Sequence, residues 1–266
     1  MVIAAIVIIV FFILYITGVW DRLTGKTRTR ASEHYPEWEP VAKQIISERM
    51  SYYYLLENDE QEMFIKRTFQ VMTSLDFVSK EEGFEVTDEM KILISAAITQ
   101  ITFGWTEIKP PDLRQIGLFS ESFYSDLVQA DVKGLTLPGR TMLSWKYFQE
   151  GYKIDNDRIN LGLHELAHAV WDERYTDGNV QGSLSGWEAI AAVEFGKMQR
   201  HIDSGFFRDY AATNMQELWA CSIECFFEAP AEFHNKLPEL YGSIAGILNQ
   251  DMLGRIKKAK TTTIIA

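Results

Sequence analysis

Residues 160–172 read NLGLHELAHAVWD, and two patterns share this stretch. Leu163, Leu166, Ala167 and Val170 recur at i, i+3, i+4 and i+7, the spacing of a helix that buries one face. His164, Glu165 and His168 complete H-E-x-x-H on the same helix. Four residues along a helix return to within about 40° of the start, so both imidazoles can reach one ion at about 2.0–2.1 Å, leaving Glu165 beside its open face. A hydrolytic zinc site needs this arrangement, with the Glu as general base. The pentapeptide also fits an ordinary surface helix, so a third ligand decides between the readings.

The metzincin continuation needs Gly at position 171 and His at 174, where Trp171 and Arg174 stand. His34, His201 and His234 have no partner at ligand spacing and read as surface or satisfied core histidines. A carboxylate is the better candidate. Residues 213–228, TNMQELWACSIECFFE, are apolar on nearly every face of a helix, yet Glu217, Glu224 and Glu228 fall on one side. Carboxylates on so buried a helix need a compensating charge, which zinc would supply. Glu217 also stands at capping-box spacing from Asn214, although Thr213-x-x-Gln216 can cap the same helix and leave Glu217 free. Glu224 fits a group accepting the ring N–H of a zinc-bound histidine, or an ordinary buried ion pair. Tyr210, just before the helix, suits an oxyanion donor or simple packing.

The chain around this core has 266 residues, 47% of them hydrophobic and 24% charged, which excludes a disordered polymer. With 26 basic and 37 acidic residues its net charge is -11, a poor balance for neutralising phosphates, so nucleic acid is not an expected partner. Cys221 and Cys225, four apart among apolar residues, read as small buried hydrophobes that suit a reducing cytosol. Residues 1–20 carry no charge and match the roughly 20 residues that span a bilayer, so a single-pass anchor in the lipid is expected. Arg22, Lys26, Arg28 and Arg30 follow within ten residues and should keep the catalytic body in the cytoplasm. The expected layout is an anchor at 1–20, a basic linker at 21–35, one domain at 36–254 and a basic tail at 255–266. Helical spacing at 37–48, 58–79, 156–172, 184–200, 215–228 and 238–250, with strand signals in IGLF and RTMLSWKYF, predicts a mostly helical α+β fold with a small sheet.

Four stretches in order, KILISAAITQITFG (91–104), MLSW (142–145), NLGLHELAHAVWD (160–172) and YAATNMQELWACSIECFFEAP (210–230), resemble the zinc peptidases of the Mlc titration factor A type. These are gluzincins whose catalytic core is similar to that of anthrax lethal factor. The resemblance covers most of residues 35–250 and implies a zincin-like metallopeptidase domain with one Zn2+ per chain. By position it makes His164, His168 and Glu217 the zinc ligands, Glu165 the general base of a zinc-bound water, and Tyr210 the transition-state stabiliser. Where the family usually has Phe after the motif's Glu and Leu-Asp after its second His, this chain has Leu166 and Ala169-Val170, which touch packing and not ligands. The implied activity is hydrolysis of peptide bonds in a peptide or protein substrate, laid along the strand that contains MLSW as a sheet edge. The alternative is a membrane-tethered binding protein that sequesters a regulatory protein and has a non-catalytic metal site.

Overall fold

The computed structural model describes residues 26–110, 112–172, 178–200 and 205–265. The chain divides into two compact units, residues 1–42 and 43–266. Helix α1, Lys26–Arg49, provides the described part of the first unit and leads into the second. The expected span, residues 1–20, lies outside the described residues. Among the described residues no helix is long and apolar enough to cross a membrane. α1 is dense in charge, α6 (Gly178–Gln199) carries Glu188, Glu194 and Lys197, and α3 (Asp88–Thr102) has 15 residues, about 22 Å of helix. The expected single-pass membrane location with a cytoplasmic catalytic domain is therefore overturned.

The second unit is mostly helical with a small sheet, as its periodicities predict. After a 3-10 turn at Ser51–Leu55 comes α2, Asn58–Ser74. The helix expected to run to 79 stops there, and Asp76–Ser79 form strand β1. α3 follows, its start capped by the Thr87 hydroxyl on the Met90 N–H at 3.3 Å. Twelve of its 15 residues are buried, so it is apolar on all sides and runs through the core between α2 and α5 (Leu161–Asp172). The strands β2 (Gln115–Phe119), β3 (Phe123–Ser125), β4 (Ala130–Val132), β5 (Gly134–Leu137) and β6 (Arg140–Ser144) come next.

One sheet has the order β1-β2-β6-β5; its first three strands are parallel and β5 runs antiparallel to β6. β3 and β4 form a separate hairpin. Residues Met142, Leu143 and Ser144 are thus in an interior strand paired on both sides, which corrects the expectation that MLSW forms an edge. The edge beside α5 is β5. The strand signal in RTMLSWKYF also ends early, because Trp145–Gly151 form the short helix α4.

α5 packs against β5 and β6 on one side and α7 (Met215–Glu228) on the other. Trp171, Trp187 and Trp219, all buried, tie α5, α6 and α7 together, and Trp219 donates to the Ala167 carbonyl at 2.9 Å. Cys221 and Cys225 are free and buried in α7, as expected of small hydrophobes. α8 (Pro230–Lys236), α9 (Pro238–Leu248) and α10 (Met252–Ile265) close the unit, each of the first two starting at a proline.

Two tests of this packing follow from close approaches. The turn after α3 is clasped to the end of α9, with the Asn249 amide donating to the Gly104 carbonyl and the Trp105 indole to that of Ile247, both at 2.8 Å. A Cβ at Gly104 would overlap the carbonyl oxygens of Leu248 and Asn249. Gly104→Ala should therefore cost about 1–3 kcal/mol in denaturant unfolding. At the end of α7, Glu228 accepts the Ile159 N–H at 3.1 Å. Burial, and the charges of Asp157 and Glu224, push its carboxyl from 4.5 up to about 8 despite bonds from Asn160 and Arg158. Between pH 4.5 and 8 the folded chain holds a proton that the unfolded chain has released, so this group destabilises progressively as pH rises. The Tm advantage of Glu228→Gln over wild type should grow by roughly 3 °C or more between pH 5 and 9.

Candidate active site

α5 starts on Asn160. Its side-chain oxygen accepts the Leu163 N–H at 3.1 Å, its side-chain amide donates to the Gly151 carbonyl at 2.8 Å, and its backbone N–H donates to Glu224 Oε1 at 2.8 Å. The helix is therefore anchored at its first turn to both α4 and α7. One turn on, His164 faces α7 with both ring nitrogens engaged. Nε2 lies 3.0 Å from Glu217 Oε2 and Nδ1 lies 3.1 Å from Glu224 Oε2. His168 follows, its Nε2 3.5 Å from the same Glu217 oxygen and its ring centroid 4.9 Å from that of His164.

Two imidazole nitrogens and one carboxylate oxygen, all within 4.8 Å of one another, thus converge on one point. This donor set suits a divalent ion held by three protein ligands with one position left open. Burial opposes the charge on Glu217, but bonds and charges from His164 and His168 outweigh it and hold the carboxyl far below the usual range. The Asn214 side chain caps α7 by accepting the Glu217 N–H at 3.0 Å, so the cap uses the Glu217 backbone and frees its side chain for the histidines.

Glu165, buried, turns the opposite way, toward β5. The Thr136 hydroxyl sits 2.8 Å from the Glu165 carbonyl and 3.0 Å from its Oε2. Burial pushes the Glu165 carboxyl up, and the charges of His164 and His168 and the Thr136 bond restrain it. Gly134 leaves the room the side chain needs, since a Cβ there would lie 2.5 Å from Glu165 Cγ. Tyr210 lies on a 3-10 turn, Asp209–Ala212, half exposed, with its ring centroid 5.8 Å from that of His164. The residues singled out in the sequence, His164, Glu165, His168, Tyr210 and Glu217, are thus close to one another, and three of them, His164, Glu165 and Tyr210, line a cleft of about 860 Å3. Glu228 and His234 are elsewhere, the latter against Tyr241; His34 is exposed and His201 lies outside the described residues.

Arg208, Thr136 and Gly134 escaped the sequence reading. Arg208 Nη2 lies 2.6 Å from Glu224 Oε2 and 3.2 Å from His164 Nδ1. His164, Cys221 and Glu224 also gather donor atoms within 4.8 Å, and the Arg208 guanidinium already supplies a cation there. Arg208 carried a faint signal, as a base close before a helix with three acids on one side. Thr136 and Gly134 carried none, because their role arises only when β5 lies against α5.

The family model for glucose-regulated metallo-peptidase M90 matches residues 23–248. Among curated relatives, Mlc titration factor A of Cronobacter sakazakii is 25% identical over 234 residues, covering 78% of this chain and 86% of the relative. That of Enterobacter sp. is 25% identical over 230 residues, covering 76% and 84%. That of Klebsiella pneumoniae is 30% identical over 132 residues, covering 45% and 48%. Because the family match extends over well above half of the sequence, the chain belongs to the glucose-regulated metallo-peptidase M90 family.

Proposed function

We propose that this chain is a zinc-dependent peptidase, with His164, His168 and Glu217 as the ligands of one zinc ion. The observation that carries the reading is the division of labour along α5, where the histidines turn to the Glu217 carboxylate while Glu165 turns to the sheet edge. A structural zinc site closes all four positions with protein ligands and has no use for a separate buried carboxylate beside it. Zinc bound here supplies a Lewis acid that polarises a peptide carbonyl and lowers the pKa of water toward about 7.

The chain's own groups do the rest. β5 ends the sheet among the described residues, so an extended peptide can pair with its outer edge through main-chain bonds. Glu165, fixed by Thr136 at Oε2, takes the proton of the attacking water at its other oxygen and passes it to the departing amine. The Tyr210 phenol, which lines the cleft, donates to the carbonyl oxygen as negative charge builds there. Glu224 accepts the Nδ1–H of His164, which orients Nε2 toward the metal position.

A second reading rests on the relatives, whose name says that they titrate Mlc. Binding of a regulatory protein by this chain is compatible with hydrolysis, and Glu165→Gln separates the two because it alters no surface.

The purified full chain should contain about one zinc, by elemental analysis, and cleave peptides from a mixed library. Glu165→Gln should keep the zinc and lose about 10²–10⁴-fold in kcat, since an amide cannot accept the proton. His164→Ala should lose the zinc. Gly134→Ala should retain zinc yet lose about 10²-fold in kcat, because the added methyl displaces Glu165 from its seat. Wild-type hydrolysis in Glu165→Gln protein, or zinc content unaltered in His164→Ala, would exclude this assignment.

A further inference from the structure

Of the residues that line the cleft, hydrolysis as described uses His164, Glu165, Tyr210 and Glu224. The cleft volume of about 860 Å3 lies toward the upper end of pockets that enclose a ligand, about 300–1,000 Å3. Val132, Tyr147, Ile154, Ile159 and Leu161 form an apolar part of its wall. Ten large apolar side chains are exposed among the described residues, and three of them, Ile154 at 53%, Ile159 at 56% and Tyr210 at 51%, line this one cleft. Scattered exposed apolar groups need no explanation, but a group of them gathered in one concavity beside reactive side chains does.

Ile159 is also held where it is by the chain. Arg158 adopts φ 65°, the left-handed region that few residues other than glycine enter. Its guanidinium is tied to the Phe206 carbonyl at 2.8 Å and lies over the Phe206 ring at 5.3 Å. The next N–H, that of Ile159, donates to both Asp157 Oδ1 at 3.0 Å and Glu228 Oε2 at 3.1 Å. The backbone thus turns at a strained residue and is pinned immediately after it, and the isoleucine is left facing the cleft. Two cations of the lining are engaged within the walls, Lys133 over the Tyr147 ring at 4.2 Å and Arg208 on Glu224. Asp131, Glu150, Lys153 and Asp157 also border the cleft, yet most of its exposed lining is apolar.

Resting on the peptidase reading, we propose that the part of the cleft walled by Ile154 and Ile159 is a side-chain subsite that takes a large apolar residue, aliphatic or aromatic, next to the scissile bond of the substrate peptide. Apolar burial against Ile154 and Ile159 provides the selectivity, while main-chain pairing with β5 remains indifferent to sequence.

The test compares the zinc-loaded full chain with the double variant Ile154→Asp/Ile159→Asp, and with Ile159→Ala as a milder change, on peptides that differ only in the residue flanking the cut. Wild type should prefer Leu or Phe over Gly by about tenfold or more in kcat/KM, and the double variant should reduce that ratio to within about threefold. In a Glu165→Gln background, binding of the uncleaved Leu peptide, read by fluorescence anisotropy, should weaken about tenfold in the double variant. Zinc content and Tm, measured alongside, identify any variant that misfolds, in which case Ile159→Ala carries the comparison. A Leu preference that persists in a folded, zinc-loaded variant, or Leu-peptide binding that is unaltered, overturns the subsite. Absence of cleavage by wild type overturns the peptidase reading instead, and the binding arm still decides the subsite.

Discussion

The carboxylate of Glu224 is 1% exposed on an apolar helix, and such a group persists in a fold only when donors surround it. Three reach it, two from α5 and one from the segment before α7. The Asn160 N–H comes from the start of α5, the His164 ring from the middle of α5, and the Arg208 guanidinium from the loop that carries Tyr210. Satisfying one buried acid therefore sets the axial position of α5, the rotation of its first histidine and the seat of the loop that delivers the phenol. The strictness comes from the low-dielectric surroundings, where a network completed by all its members is stable and one that lacks a member is costly. The placement of His164 and Tyr210 is in this sense a by-product of compensating the charge on Glu224.

Much of that was legible in the chain. The H-E-x-x-H motif and the three acids on one side of residues 213–228 are local patterns, decided by the helical period, and both were found where the structure has them. The helix at 215–228 was readable for the same reason. The sheet was harder. β1 has four residues, and nothing in Asp76–Ser79 shows that its backbone pairs in parallel with residues 115–118, some 40 positions away. Whether Met142-Leu143-Ser144 is an edge or an interior strand depends on β2 and β5, so no property of those residues alone could have decided it. Trp145–Gly151 continue the apolar run of β6 but turn helical, a change that a short apolar stretch does not announce. Thr136 and Gly134 act through α5, 29 and 31 positions further on, and share this non-local origin.

The two carboxylates that α7 sends to His164 are compensated differently, and this difference separates structure from chemistry. Glu224 has Arg208 at 2.6 Å, a permanent cation supplied by the chain itself, together with a backbone N–H and an imidazole. Glu217, seven residues earlier on the same face, meets the two imidazole nitrogens at 3.0 and 3.5 Å. His164 divides its two ring nitrogens between these acids, Nδ1 at 3.1 Å from Glu224 and Nε2 at 3.0 Å from Glu217. His168 adds a third donor atom to the same point. Two imidazole nitrogens and a carboxylate oxygen thus gather at Glu217 as donor atoms that suit a divalent ion, whereas Glu224 already has a cation from the chain itself.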